Sequence, residues 1–188
     1  MLGSFPPAAK RWKMRFFYPN FNNDMWRIFG LCHYSDKSHF VDEQSKTYRQ
    51  EDIMRFLTRQ RIGMYDTACA VRRLKNTASD KDLEIVEPTD LKSMVRSLPL
   101  LTDIVATGQK AAEVLCMTFG VGRLPTTGTC VTMSFEGRGY RLWRMPSSSR
   151  AYPMRLEDKA AVYLRMFDAL RDGGAEPLPR EATAARES

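Results

Sequence analysis

Met145-Pro146-Ser147-Ser148-Ser149-Arg150-Ala151-Tyr152-Pro153 joins an apolar-alternating run to a long amphipathic stretch. Prolines bracket three consecutive hydroxyls, so this backbone continues neither as strand nor as helix. Ser147, Ser148 and Ser149 offer donors for phosphate oxygens, and Arg150 adds a long cation at the tip. The same composition also describes an ordinary Ser- and Pro-rich turn. A nucleic-acid-facing loop is favoured by a second stretch at the other end of the chain. There Gly3-Ser4-Phe5-Pro6-Pro7 is followed by Phe16-Phe17-Tyr18-Pro19-Asn20-Phe21-Asn22-Asn23-Asp24-Met25-Trp26.

Working outward from the serine loop, residues 130–135 and 140–145 alternate in polarity around Glu136-Gly137-Arg138-Gly139, which predicts a β-hairpin leading into the loop. Beyond Pro153, Ala160, Tyr163, Leu164, Phe167 and Leu170 recur at helical spacing up to Gly173-Gly174. Residues 175–188 lack apolar periodicity, so one domain over 1–172 and a disordered tail over 173–188 are expected. Asp103-Ile104-Val105-Ala106-Thr107 reads as a strand, Gly108 as a tight turn, and residues 110–119 as a helix with Ala112, Leu115, Cys116 and Phe119 on one side. Parallel sheets are built from such units. Gln109 and Lys110 stand at the helix start, where unpaired N–H groups favour a phosphate.

Nearer the N-terminus, Lys10-Arg11-Trp12-Lys13-Met14-Arg15 leads into the aromatic cluster, which Pro19 makes an irregular lip instead of a regular strand. Asn22 or Asn23 is expected to cap a helix reaching about Cys32. Residues 33–48 read as a polar loop. Ile53, Phe56 and Leu57 predict a helix ending before Gly63, and residues 64–71 a buried segment leading into a polar loop over 72–81. Asp66 in that segment either orients a catalytic group or, more commonly for such a residue, caps or hydrogen-bonds the loop. Pro88-Thr89-Asp90 opens a helix with Leu91, Met94, Val95 and Leu98 on its face, and Pro99 stops it.

The chain has 188 residues and a formal charge of +7. Within residues 1–27, Lys10, Arg11, Lys13, Arg15 and Arg27 oppose Asp24 alone; within 137–156, Arg138, Arg141, Arg144, Arg150 and Arg155 meet no acid. Folding that joins these segments would make a polyanion site, whereas two solvated faces would not. No apolar run reaches the roughly 18 residues of a membrane span, and no signal-peptide pattern starts the chain, so a cytoplasmic protein is expected. Cys32, Cys69, Cys116 and Cys130 lie 37, 47 and 14 residues apart without a close ligand pair, which reads as buried small hydrophobes and no metal. His33 and His39 are assigned loop or surface roles.

With these pieces placed, the chain resembles the uracil-DNA glycosylase superfamily, most closely its mismatch-specific and thymine-DNA glycosylase branch and the deoxyinosine or hypoxanthine glycosylases. Met145-Pro146-Ser147-Ser148-Ser149 looks like the second motif of thymine-DNA glycosylase, and Gly3-Ser4-Phe5-Pro6 like the first motif of the deoxyinosine type. Asn23-Asp24-Met25-Trp26 resembles the latter's downstream Asn-x-Phe-Trp, and Thr107-Gly108-Gln109-Lys110-Ala111 the superfamily's strand-to-helix turn. The resemblance implies an α/β fold, a three-layer α/β/α sandwich with a mostly parallel central sheet and its site at the carboxyl ends of the strands. Relatives have several apolar residues before the first motif and this chain has Met1 and Leu2, so the first strand is expected to be truncated, with either the natural start lying upstream or the chain being marginally stable.

The resemblance further implies a monomer that binds damaged or mismatched DNA, needs no cofactor and hydrolyses the N-glycosidic bond of a flipped base such as uracil or hypoxanthine. Ser147, Ser148 and Ser149 would then pinch the backbone, Arg150 would fill the gap in the stack, and Gln109 and Lys110 would meet phosphate. Tyr18 would stack on the base, with Phe17 or Phe21 as alternatives, and N–H groups around Ser4 and Phe5 would hold a base carbonyl. Phe5 stands where the mismatch branch places a water-positioning Asn, and Met145 where the main uracil-excising branch has a His. Asn23 is left to position water, in competition with a plain helix-capping role. A DNA-binding relative without catalysis, and an unrelated nucleotide-binding α/β protein, remain open alternatives.

Overall fold

Ile104, Ala106 and Leu142 face one side of a sheet and Val105, Trp143 and Met145 the other, and this alternation divides the apolar interior into two cores. The computed structural model describes residues 1–73 and 83–172. Its central sheet has the order β4 (Tyr65–Asp66), β1 (Leu2–Gly3), β7 (Asp103–Thr107), β9 (Arg138–Met145) and β8 (Thr129–Phe135). β4, β1, β7 and β9 are mutually parallel and β8 is antiparallel at the edge. β1 and β4 are two residues each, and β1 meets β7 through Leu2 opposite Ala106.

On one face α1 (Met25–Tyr34), α2 (Gln50–Gln60) and α5 (Leu156–Asp172) pack with Val105, Trp143 and Met145. On the other, α3 (Leu91–Arg96) and α4 (Gln109–Phe119) cover Leu2, Ile104, Ala106 and Leu142. Helix, sheet and helix thus form the three layers that the resemblance implies. β8 and β9 make the expected hairpin, but its turn is only Glu136-Gly137, both at positive φ (51° and 76°), so the strands run further than the apolar pattern suggests.

Several local expectations are corrected. Residues 33–48 are not simply a polar loop. They hold the last turn of α1 and a hairpin of β2 (Val41–Asp42) with β3 (Thr47–Tyr48), and they bury Phe40, Val41 and Tyr48. Residues 64–71 are not a uniformly buried segment. They supply β4 and the start of β5 (Ala68–Arg73), which pairs antiparallel with β6 (Leu83–Pro88) in a separate ribbon, with Tyr65 and Cys69 exposed. Asp90 caps α3 by accepting the Ser93 N–H at 3.0 Å, but the helix ends before Leu98, which is exposed. His33 is neither loop nor surface: it lies in α1 with its ring 4.7 Å from Phe56 and 4.6 Å from Phe167. The tail over 173–188, and all but the first two residues of the loop over 72–81, lie outside the described residues.

Candidate active site at the carboxyl ends of the parallel strands

β1 leads by way of α1 and α2 to β4 on one side, and the chain then crosses over β1 to β7 on the other. Ligand crevices of open α/β sheets lie beyond the strand ends at such a reversal. Gly3, Asp66, Thr107 and Met145 end the four parallel strands here.

Gly3 must be glycine for a local reason. A Cβ on it would lie 2.6 Å from Asp66 Oδ1 and 3.2 Å from the Tyr18 hydroxyl, so the carboxylate and the phenol crowd the same Cα. Thr67 holds the segment after it, its N–H donating to Gly3 O at 2.9 Å and its hydroxyl to Ser4 O at 3.4 Å. Ser4 and Phe5 are half-buried beside this turn. Tyr18 has φ 51°, a left-handed conformation uncommon for an aromatic residue and typical of backbone held by its surroundings. Its hydroxyl lies 2.6 Å from Thr107 Oγ1, and its ring meets Trp26 edge-on.

Asn23 is half-buried at the entry to α1. The helix cap position falls to Asp24, a residue later than expected, yet the Asp24 side chain caps nothing; Asn23 Oδ1 instead accepts the Met25 N–H at 2.9 Å. The Tyr48 hydroxyl secures the lip from beneath, shared between Asn20 O at 2.8 Å and Asn23 O at 3.2 Å, and burial pushes its pKa up to about 12.

The lip and the serine loop are joined directly. Asn23 and Ser149 form an antiparallel bridge, and the Asp24 N–H donates to Ser148 O at 2.8 Å. Arg150 Nε and Lys159 Nζ each lie 3.0 Å from a carboxylate oxygen of Asp24. From α5, Lys159 also donates to Ser149 O at 2.8 Å and the Tyr163 hydroxyl to Pro146 O at 3.0 Å. Complete burial raises the Tyr163 pKa well above its ordinary value, so this phenol stays a neutral donor.

The three serines differ. Ser147 Oγ accepts the Ser149 N–H at 3.3 Å and Ser149 Oγ the Ala151 N–H at 3.2 Å. A hydroxyl that accepts from its own loop still has a proton to donate elsewhere. Ser148 is only 3 % exposed, which withdraws it from the surface that the expectation gave it. Across the crevice Gly108 (φ 98°) starts α4 and gives its N–H to Met145 O at 3.0 Å, while a Cβ on it would sit 3.5 Å from Ser147 Cβ. Gln109 is exposed there and bonds Glu113 and Arg144; Lys110 is half-buried.

The two basic segments do not merge whole. Arg138 binds the carbonyls of Pro99 and Leu101, and Arg141 and Trp143 converge on Asp103 at the opposite end of the strands from the site. Arg27 is buried against Glu43. Exposed Lys10, Arg11, Lys13 and Arg15 remain on the lip segment, with Arg144 and Arg150 at the crevice.

Sequence patterns left Asp24, Thr107, Lys159 and Tyr163 without a site role. Lys159 was detectable in principle as a lysine one position from the apolar stripe of α5, and Thr107 as the last residue of a strand. Among the described residues no group of three His, Cys, Asp or Glu side chains is placed to hold a metal ion, and no helix is long and apolar enough to cross a membrane.

No protein-family model matches the chain, and no curated protein matches it in sequence. Among solved structures it is similar to the solution NMR structure of a "putative Uracil DNA glycosylase" from Methanosarcina acetivorans, with 23 % identity, a TM-score of 0.54 and 88 % of each chain covered. The chain therefore shares with that protein its fold, the mostly parallel α/β sheet covered by helices on which this crevice is built.

Proposed function

We propose that the protein is a DNA glycosylase that hydrolyses the N-glycosidic bond of a deaminated or mispaired base flipped out of DNA, acting in base excision repair as a cytoplasmic monomer. The observation that carries this reading is the direct junction of the aromatic lip with the serine loop over the carboxyl ends of β1, β4, β7 and β9. The shared fold agrees with it.

A base inside a duplex is out of reach, and extruding it costs a few kcal/mol that contacts to the strand must offset. Ser147 and Ser149 donate their remaining hydroxyl protons to phosphate oxygens, Gln109 and Lys110 meet the backbone at the start of α4, and Arg150 fills the vacated place in the stack with its guanidinium on a flanking phosphate. Tyr18 stacks on the base, and N–H groups around Ser4 and Phe5 hold its carbonyl. Cleavage passes through an oxocarbenium-like sugar, which needs a well-placed water more than a strongly activated one. Asn23 orients that water through its amide NH2, since its oxygen is engaged by Met25. Asp66, beside Gly3, supplies the carboxylate that faces the developing cation.

One observation favours a second reading, a relative that binds DNA without excising a base. Met145 is wholly buried and Phe5 has no polar side-chain atom, so neither delivers a group to the reaction. The two readings part in a single assay. Duplexes containing uracil, hypoxanthine or a G·T mispair are incubated with the protein and treated with alkali. Strand scission at the lesion is expected; salt-sensitive binding without scission establishes the second reading, and absence of both removes DNA as the substrate.

A further inference from the structure

Asp24 holds two cations of unequal standing. Lys159, 1 % exposed, is bound on two sides, by Asp24 Oδ2 and by Ser149 O. Arg150 meets Asp24 Oδ1 through one nitrogen, with its side chain 46 % exposed. One carboxylate is neutralised by one cation. Arg150 can therefore leave for solvent without stranding a buried charge, whereas Lys159 cannot.

We propose that Lys159 is a positioning residue that makes Arg150 exchangeable: it keeps the Asp24 charge compensated and Ser149 in place while Arg150 moves from Asp24 to an external anion. The identity of that anion, a DNA phosphate, rests on the glycosylase reading; the exchange itself does not. Deprived of the lysine charge, Asp24 keeps Arg150 as its one ion-pair partner among the described residues and holds it more tightly. A lysine that merely filled space would have no such effect on Arg150.

The test uses the full chain as wild type, Lys159→Met, and Lys159→Met with Asp24→Asn. Two quantities are read: solvent exchange of the Arg150 Nε–H by NMR, and affinity for a duplex carrying a tetrahydrofuran abasic site. Lys159→Met is expected to slow the exchange and weaken duplex binding by about tenfold each, the size typical of coupled neighbours, and adding Asp24→Asn is expected to reverse both. Unchanged or faster exchange in a folded Lys159→Met protein overturns the proposal. If Lys159→Met does not fold, Lys159→Gln keeps a donor to Ser149 O without the charge and is judged by the same criterion. Slowed exchange in a protein that binds no duplex upholds the role of Lys159 and removes the DNA reading alone.

Discussion

The Tyr18 hydroxyl and Thr107 Oγ1 share a hydrogen bond across 2.6 Å in which either oxygen can be the donor. Thr107 Oγ1 also lies 3.1 Å from Leu2 O, a carbonyl that can only accept; when the threonine proton goes there, Tyr18 is the donor of the shorter bond. Phenol, hydroxyl and carbonyl thus form a short chain that fastens the lip to the ends of β7 and β1. The chain also accounts for a tyrosine held at φ 51° beside the crevice.

An asymmetry between two substitutions follows. Thr107→Val keeps the shape but leaves both Leu2 O and the Tyr18 hydroxyl without this partner, and should cost about 2 kcal/mol or more by urea unfolding. Tyr18→Phe leaves the Thr107 to Leu2 bond intact and should cost about 1 kcal/mol. A larger loss for Tyr18→Phe than for Thr107→Val would mean that the bond does not run in this direction. In the excision assay Tyr18→Phe keeps the stacking ring, whereas Tyr18→Ala should weaken base binding by about 1–3 kcal/mol.

Gly3→Ala places a methyl group 2.6 Å from Asp66 Oδ1, closer than any non-bonded contact of that kind, and 3.2 Å from the Tyr18 hydroxyl. Because both neighbours belong to the crevice, the displacement falls on the site itself. We expect Gly3→Ala to lower stability by about 1–3 kcal/mol, the usual cost of overpacking, and to impair excision beyond its effect on melting. Equal activity per folded molecule would show that Asp66 and Tyr18 can yield without consequence for the reaction.

Most of the architecture was legible in the sequence because it depends on periodicity. β7, Gly108 and α4 follow one another as a strand, turn and helix, and the stripe of α5 fixes which side meets the sheet. The elements that were missed owe their form to partners far away in the chain. β2 and β3 are two residues long, too short for alternation to register, and exist because Tyr48 anchors the lip at Asn20 and Asn23. β6 pairs with β5 without a strong apolar pattern of its own. The serine loop was found by composition, but its supports were not, since a pairing such as Asp24 with Lys159 spans 135 residues and leaves no local trace.

His33 gives stability a pH dependence. Its Nε2 is buried with no hydrogen-bond partner among the described residues, and desolvation first, then the charge of Arg171, lowers its pKa from the usual 6.5. The unfolded chain therefore binds the proton more readily than the folded one. The stabilisation is fully present above about pH 6.5 and is lost as pH falls through the folded-state pKa. Urea midpoints between pH 7 and 5 should decline more steeply for wild type than for His33→Leu, and parallel curves would contradict this assignment.

Asn23 has a structural duty and a proposed chemical one, and two substitutions separate them. Asn23→Ala removes the acceptor of the Met25 N–H and should cost about 1 kcal/mol, the usual value for a lost helix-start contact. Asn23→Asp keeps that acceptor and places negative charge at the start of α1, where the helix dipole favours it, so stability should be close to that of wild type. It also removes the amide NH2 that orients water. If orientation is what Asn23 contributes, Asn23→Asp should melt like wild type yet excise about a hundredfold more slowly, the penalty typical of a misplaced reactant. Asn23→Asp with wild-type excision would leave Asn23 only its bond to Met25, and the water would then have to be oriented from the other wall of the crevice, where Asp66 ends β4.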